Sequence, residues 1–204
     1  MEHLITLLAY FTQLFAIMNP FSVLPFFVSV VEGLGKREVD SIVRKAMVAG
    51  LLIVVTFTIA GKYILEAFNI SIAGLRVGGG ILLIVLALDM LGEEPRTKKM
   101  DPRDIAVVPI ATPLIIGPGT ITTILLLVAA RPGDLLNLLL VLVAGITACL
   151  ASFTILRVGN MLVRFLRVST VRALGRFMSL IIAGMAVEMI AGGVKMYYYT
   201  LLKG

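Results

Sequence analysis

The chain has 204 residues, of which 59% are hydrophobic and 15% charged, with a net charge of +6 and a mean hydropathy of +1.05. A soluble globular chain is about 45–50% apolar and about 25% charged, so most of this surface is built for a bilayer, and disordered, collagen-like and disulfide-scaffold classes are excluded. One cysteine, Cys149, and one histidine, His3, rule out an internal disulfide and a Cys-based metal site and argue against zinc or Ser-His chemistry.

Leu4–Val31 carries no charge and is longer than the roughly 20 residues a crossing needs. It lacks a basic leader and a small-residue cleavage site, so it reads as a retained helix rather than a signal peptide. Ala46–Gly61 follows, bounded by Lys45 and Lys62, whose long stems can reach outward. Ser71–Leu91 is apolar apart from Arg76 and Asp89. A polar linker over 92–103 precedes the uncharged Ile105–Ala130 and Leu135–Leu156. Val171–Val194 closes the set and contains Arg176 and Glu188. The expected fold is all-α and membrane-integral, with six transmembrane helices.

Orientation follows from the cations in the connections. Lys36, Arg37, Arg44 and Lys45, then Arg96, Lys98, Lys99 and Arg103, then Arg157, Arg164, Arg167 and Arg172 fall on one side. The other side carries Lys62, Arg131, Lys195 and Lys203. The bias places both termini outside the cytoplasm of a cell membrane and argues against nucleic acid as the partner. The basic stretch Arg157–Arg172 is expected to lie along anionic headgroups as an interfacial helix.

The first and fourth spans share a pattern. Asn19-Pro20-Phe21-Ser22-Val23-Leu24-Pro25 matches Thr112-Pro113-Leu114-Ile115-Ile116-Gly117-Pro118, with the same spacing of prolines. The third and sixth spans share Gly74-Leu75-Arg76 and Leu174-Gly175-Arg176, each with an acid further along. Residues 1–91 and 104–204 therefore read as two three-helix repeats. Three crossings are odd, so the copies insert in opposite directions, with helices 1 and 4 interrupted near mid-membrane. That combination is the sequence pointer to a secondary transporter. Proline removes a backbone N–H and clashes with the preceding turn, while Asn19 or Thr112 ahead of it can cap a new helix. Backbone groups freed in this way cannot face lipid. N–H groups at a half-helix start favour a carboxylate, and carbonyl and amide oxygens suit an ammonium. The competing reading of the same residues is a pair of proline kinks in ordinary packed helices.

The candidate substrate-binding residues are Asn19, Pro20, Ser22 and Pro25 in the first repeat. In the second they are Thr112, Pro113, Gly117, Pro118, Gly119 and Thr120. Gly78 and Gly79 are added as a wall for a small ligand. The Gly78-Gly79-Gly80 run has no following Lys-Ser/Thr and no preceding strand, which excludes a phosphate loop. Gly74-x3-Gly78 suits close helix packing, within one chain or between copies in a homo-oligomer. Of Thr120, Thr122 and Thr123, Thr120 lies nearest the break. At about 1.5 Å rise per residue, Arg76 and Glu188 come to similar depths at one face, and Arg176 and Asp89 at the other. Two opposite-charge pairs, Arg76 with Glu188 and Arg176 with Asp89, are expected as gates, with either acid able to carry a coupling proton. Headgroup snorkelling of all four is the alternative.

At 19–27, 74–80 and 113–120 the chain resembles the MarC family of six-span membrane proteins, and the resemblance covers essentially its whole length. It implies carriage of small neutral amino acids, notably glycine and alanine, as in the archaeal SnatA branch, and a relation to amino-acid exporters of the LysE type. The low Asn, Gln and Cys counts lean toward the archaeal branch. The expected partners are therefore a small neutral amino acid and membrane lipid, with no cofactor and no enzymatic chemistry. A channel or structural membrane subunit is the alternative, and a membrane-embedded enzyme the next, opposed by the lack of any nucleophile–base couple.

Overall fold

A computed structural model describes residues 2–31, 34–91 and 115–203. All its regular structure is helical: α1 (Glu2–Met18), α2 (Pro20–Val30), α3 (Lys36–Ala67), α4 (Ile72–Leu91), α5 (Pro118–Ala129), α6 (Leu135–Arg157) and α7 (Gly159–Lys203). Four stretches are long and apolar enough to cross a membrane, Glu2–Leu24, Lys36–Ala67, Leu135–Arg157 and Ala173–Thr200, and Ile72–Leu88 and Gly119–Ala129 are shorter apolar helices. The linker 92–103, Thr112 and Pro113 lie outside the described residues.

Local chemistry sets the helix ends. α1 stops at Met18 because Asn19 takes a left-handed backbone, φ 38 and ψ 62, a conformation that Asn tolerates better than other residues with a Cβ. The Asn19 Oδ1 then accepts from the Ser22 N–H at 3.4 Å, and Pro20 opens α2 in the first helical position, where its missing N–H leaves no bond unmade. The Gly35 N–H donates to Glu38 Oε2 at 2.8 Å at the start of α3. α3 closes with Asn69 at φ 50, and the Ile70 N–H reaches back to the Leu65 carbonyl at 2.9 Å, a left-handed helix stop. Asp134 caps α6 by accepting from the Asn137 N–H at 3.1 Å.

α4 packs along α7, and α3 along α6; α1 lies on α6, α2 on α7, and α5 between α3 and α4. Glycines set the closest approaches. A Cβ on Gly80 would stand 2.8 Å from the Ala186 carbonyl oxygen, and one on Gly193 2.8 Å from that of Ala73, so α4 and α7 touch backbone to backbone. Gly50 faces Phe153 and Cys149 of α6, and Gly145 faces Val54 of α3. The main core joins Leu14, Met18, Leu24, Phe27, Val54, Ile116 and Phe153, while a second cluster joins Ile17, Leu83 and Ile182. Outward-facing Leu4, Leu52, Leu88 and Leu180 are 60–64% exposed, which suits lipid and not water.

α7 is one unbroken helix from Gly159, so the basic stretch Arg157–Arg172 is not a separate interfacial helix but runs on into the last span. At the far end Tyr197, Tyr198 and Tyr199 are exposed, and the Lys195 ammonium sits 5.9 Å from the Tyr199 ring centre. Tyrosine and lysine together mark a membrane–water boundary. The Tyr197 hydroxyl lies 3.2 Å from that of Ser71, which ties this end of α7 to the start of α4.

Candidate functional site

The junction of α1 and α2 is buried against α7. Asn19 is fully buried, and its Nδ2 donates to the Gly175 carbonyl at 3.5 Å. The same carbonyl takes the hydroxyl of Ser179, itself fully buried, at 2.9 Å. Gly175 is there because nothing larger fits: a Cβ would stand 2.6 Å from Ser22 Oγ and 3.0 Å from Ser22 Cα. Ser22 Oγ is buried and has no hydrogen-bond partner among the described residues. Such a hydroxyl costs about 1–3 kcal/mol when left unsatisfied, so it is a group prepared for a ligand or a water. Asn19, Ser22, Gly175 and Ser179 thus form a compact polar cluster inside an otherwise apolar bundle. Pro25 lies within α2, five residues beyond the helix start.

The second segment approaches the first. The chain bends at Ile116 and Gly117 and α5 begins at Pro118, with Gly117 as its extended cap. The described helix start therefore falls at the second proline of this motif, whereas in the first motif it falls at the first proline. Thr120 is buried, and its hydroxyl donates back across the bend to the Ile115 carbonyl at 3.2 Å. Thr123 donates to the Gly119 carbonyl at 2.9 Å. A Cβ on Gly119 would meet Leu83 at 2.5 Å and Ile17 at 3.6 Å. Ile17 lies two residues before Asn19, so the ends of α1 and α5 are neighbours.

The sequence places a pocket between these segments, and its second side, Thr112 and Pro113, lies outside the described residues. Ile17 and Leu83 pack together beside Gly119, and apolar contact occupies the approach. Two cavities lie at opposite ends of the α3–α6 pair. One, of about 400 Å³, is bordered by Asp40 and Arg157; the other, of about 620 Å³, by Glu66 and Asp134. Neither is lined by Asn19, Ser22 or Thr120.

Gly78 and Gly79 part company. Gly79 is buried, and a Cβ there would overlap the Thr122 methyl. Gly78 is exposed with nothing within 4 Å of the place its Cβ would take. One residue turns a helix by about 100°, so Gly78 faces outward and cannot wall a site at the bundle centre.

The paired gates are not formed among the described side chains. Arg76 Nε is buried without a partner, and its Nη1 stands 2.8 Å from where a Cβ on Gly192 would be. Glu188 is exposed, and so is Arg176. Equal depth was a necessary condition for pairing, but the rotation of each helix about its axis also decides which heads meet. The Asp89 side chain lies outside the described residues. Among the described residues, the ion pair that joins two spans is Arg157 Nε with Asp40 Oδ1 at 2.9 Å, between α6 and α3.

Sequence reasoning missed Ser179 and used Gly175 only as a marker of the repeat. The signal was a serine four residues after a glycine in a motif already matched between the halves. Asn137 is buried, accepts from the Tyr10 hydroxyl at 2.8 Å and donates to the Leu127 carbonyl at 3.0 Å, so one side chain ties α1, α5 and α6 together.

The model of the MarC family integral membrane proteins matches residues 4–198 of the chain. A UPF0056 membrane protein of Methanocaldococcus jannaschii is 34% identical over 197 residues, covering 91% of this chain and 94% of the relative. One of Pyrococcus abyssi is 32% identical, covering 96% and 97%. The UPF0056 membrane protein YvbG of Bacillus subtilis is 32% identical, covering 91% and 92%. No solved structure matches the chain.

Proposed function

This chain belongs to the MarC family of integral membrane proteins, and on that premise we propose that it is a secondary carrier of small neutral amino acids, glycine and alanine among them. The observation that carries the reading is the buried cluster of Asn19, Ser22, Gly175 and Ser179, with its unpartnered hydroxyl at the start of α2. The first turn of α2 offers a positive helix end for a carboxylate. The Asn19 Oδ1 and the Gly175 carbonyl offer oxygens for an ammonium. The close approach of Gly175 to Ser22 favours a substrate with a small side chain.

Alternating access follows from two inverted repeats, 1–91 and 104–204. Helix pairing supports this: exchanging the first three spans with the last three turns α1 on α6 into α5 on α3, and α2 on α7 into α5 on α4. The α3–α6 and α4–α7 pairs map onto themselves, and the two cavities at the ends of α3–α6 exchange places. Packed Ile17 and Leu83 describe a closed centre, which opens to either side as one repeat rocks against the other. The basic connections face the cytoplasm of a cell membrane, and both termini lie outside.

The test is counterflow in liposomes that hold only this protein. Preloaded glycine should accelerate uptake of labelled glycine and alanine, with saturation, while leucine and lysine are excluded. Non-saturating flux without counterflow marks a channel and ends the carrier reading; equal exchange of all four amino acids ends the small-pocket reading.

A further inference from the structure

We propose that the cavity between the first turns of α3 and the last turns of α6 binds a phosphate-bearing anion at the membrane surface. The cavity measures about 400 Å³ and, among the described residues, is lined by three guanidinium-bearing residues, Arg37, Arg44 and Arg157, and by one acid, Asp40. Asp40 is already engaged, accepting from Arg157 Nε at 2.9 Å. Glu38, the other acid on these turns, does not line the cavity; it accepts from the Gly35 N–H at 2.8 Å. Arg37 and Arg44 are exposed, and among the described residues neither has a carboxylate within ion-pair distance. They stand seven residues apart, two helical turns, and so lie along one face of α3. Ser41 between them adds a hydroxyl, while the Thr154 hydroxyl on α6 already donates to the Leu150 carbonyl at 2.7 Å.

The two ends of the α3–α6 pair differ in charge. The cavity at the opposite end of the α3–α6 pair holds Lys62 and Arg131 against Glu66 and Asp134, so it is balanced. A basic excess is therefore not a general feature of the ends of this helix pair. A zwitterionic amino acid has no net charge, so the excess is not explained by the cargo proposed above either. Guanidinium groups bind phosphate oxygens through paired N–H donors. Phe153, Val43 and Met47 supply an apolar floor next to the charged rim, the arrangement that meets a phosphate head above acyl chains. An anionic phospholipid and a free phosphate ester share this chemistry.

The experiment uses the purified, delipidated full chain in neutral detergent. Thermal unfolding is read by a thiol-reactive dye at the single, buried Cys149. Short-chain phosphatidylglycerol should raise the unfolding midpoint with saturation, and phosphatidylcholine, whose choline cancels the charge, should not. Arg37→Gln or Arg44→Gln should each weaken the apparent affinity about fivefold, and the double variant about twenty-five-fold, while a Lys replacement at either site, which keeps the charge but not the paired donors, should weaken it less than Gln does. A saturable shift with inorganic phosphate alone, lost in the same variants, assigns the site to a soluble anion and still supports it. No shift with either probe, an equal shift with phosphatidylcholine, or an unchanged affinity in the Gln variants overturns the proposal. The single variants keep the test decisive if the double variant does not fold, and Lys195→Gln, at the other end of the molecule, is the control for general loss of charge.

Discussion

The side-chain amide of Asn19 and the backbone carbonyl of Gly175 meet at 3.5 Å although 156 positions separate them in the chain. The contact joins the start of α2 to α7, and it depends on two backbone facts. Asn19 is left-handed, which turns the chain from α1 into α2, and Gly175 has no Cβ to hold Ser22 away.

Replacement of Asn19 separates backbone from side-chain effects. Gly accepts φ 38 freely, so Asn19→Gly adds no backbone strain and should lose only what its own buried hydrogen bonds contribute, about 1–2 kcal/mol. It loses the contact to Gly175 and the cap on Ser22, and a lost hydrogen bond of about 1.4 kcal/mol lowers glycine counterflow about tenfold. Asn19→Ala places a Cβ in the left-handed region and should lose about 1–2 kcal/mol of stability beyond that. Transport by Asn19→Gly equal to the parent would remove Asn19 from the site.

Two adjacent glycines should respond in opposite ways. Gly79→Ala drives a methyl into Thr122 and should destabilise by about 1–3 kcal/mol. Thr122→Ser removes the obstructing methyl and should restore part of that loss. Gly78→Ala meets open space and should be neutral or stabilise by up to about 1 kcal/mol through helix propensity. Unfolding midpoints of the four variants, the Gly79→Ala/Thr122→Ser double included, test both signs.

Asn137→Ala should be a stability variant and not a transport variant. It strands the Tyr10 hydroxyl and the Leu127 carbonyl in a buried place, a loss of about 2–3 kcal/mol. Tyr10→Phe removes one donor and should cost about 1 kcal/mol. Counterflow per folded molecule should stay within about twofold of the parent in both, as neither residue lies in the Asn19 cluster.

Asp40→Asn should barely change stability. The Asp40 and Arg157 side chains are 33% and 62% exposed, and such pairs contribute about 0–1 kcal/mol. The freed Arg157 then becomes a third cation for the basic cavity, so phosphatidylglycerol affinity should rise severalfold. A fall in affinity would mean that Asp40 shapes the cavity rather than merely neutralising one guanidinium.

What the sequence by itself determined is local or global in kind. The solvent is global: an apolar majority with short charged connections has no stable arrangement in water. Helix ends are local: an Asn before Pro20, an Asp ahead of Leu135 and an Asn after Phe68 each act within one turn of backbone, and α2, α6 and α3 start or stop there. Family membership was legible too, because the glycine and proline motifs are backbone requirements that few other residues meet. Only the tertiary structure decided which side chains converge. Gly175 and Ser179 join Asn19, Asn137 becomes a three-helix tie, Arg157 finds Asp40, and Arg76 packs on Gly192 while Glu188 stays exposed. These outcomes depend on the axial shift and rotation of one helix against another, and one residue of shift rotates the contact face by about 100°. Register is set collectively, by glycine-to-backbone approach along α4–α7 and side-chain packing along α3–α6. No motif of a few residues encodes it, which is why depth alone does not decide whether Arg76 meets Glu188.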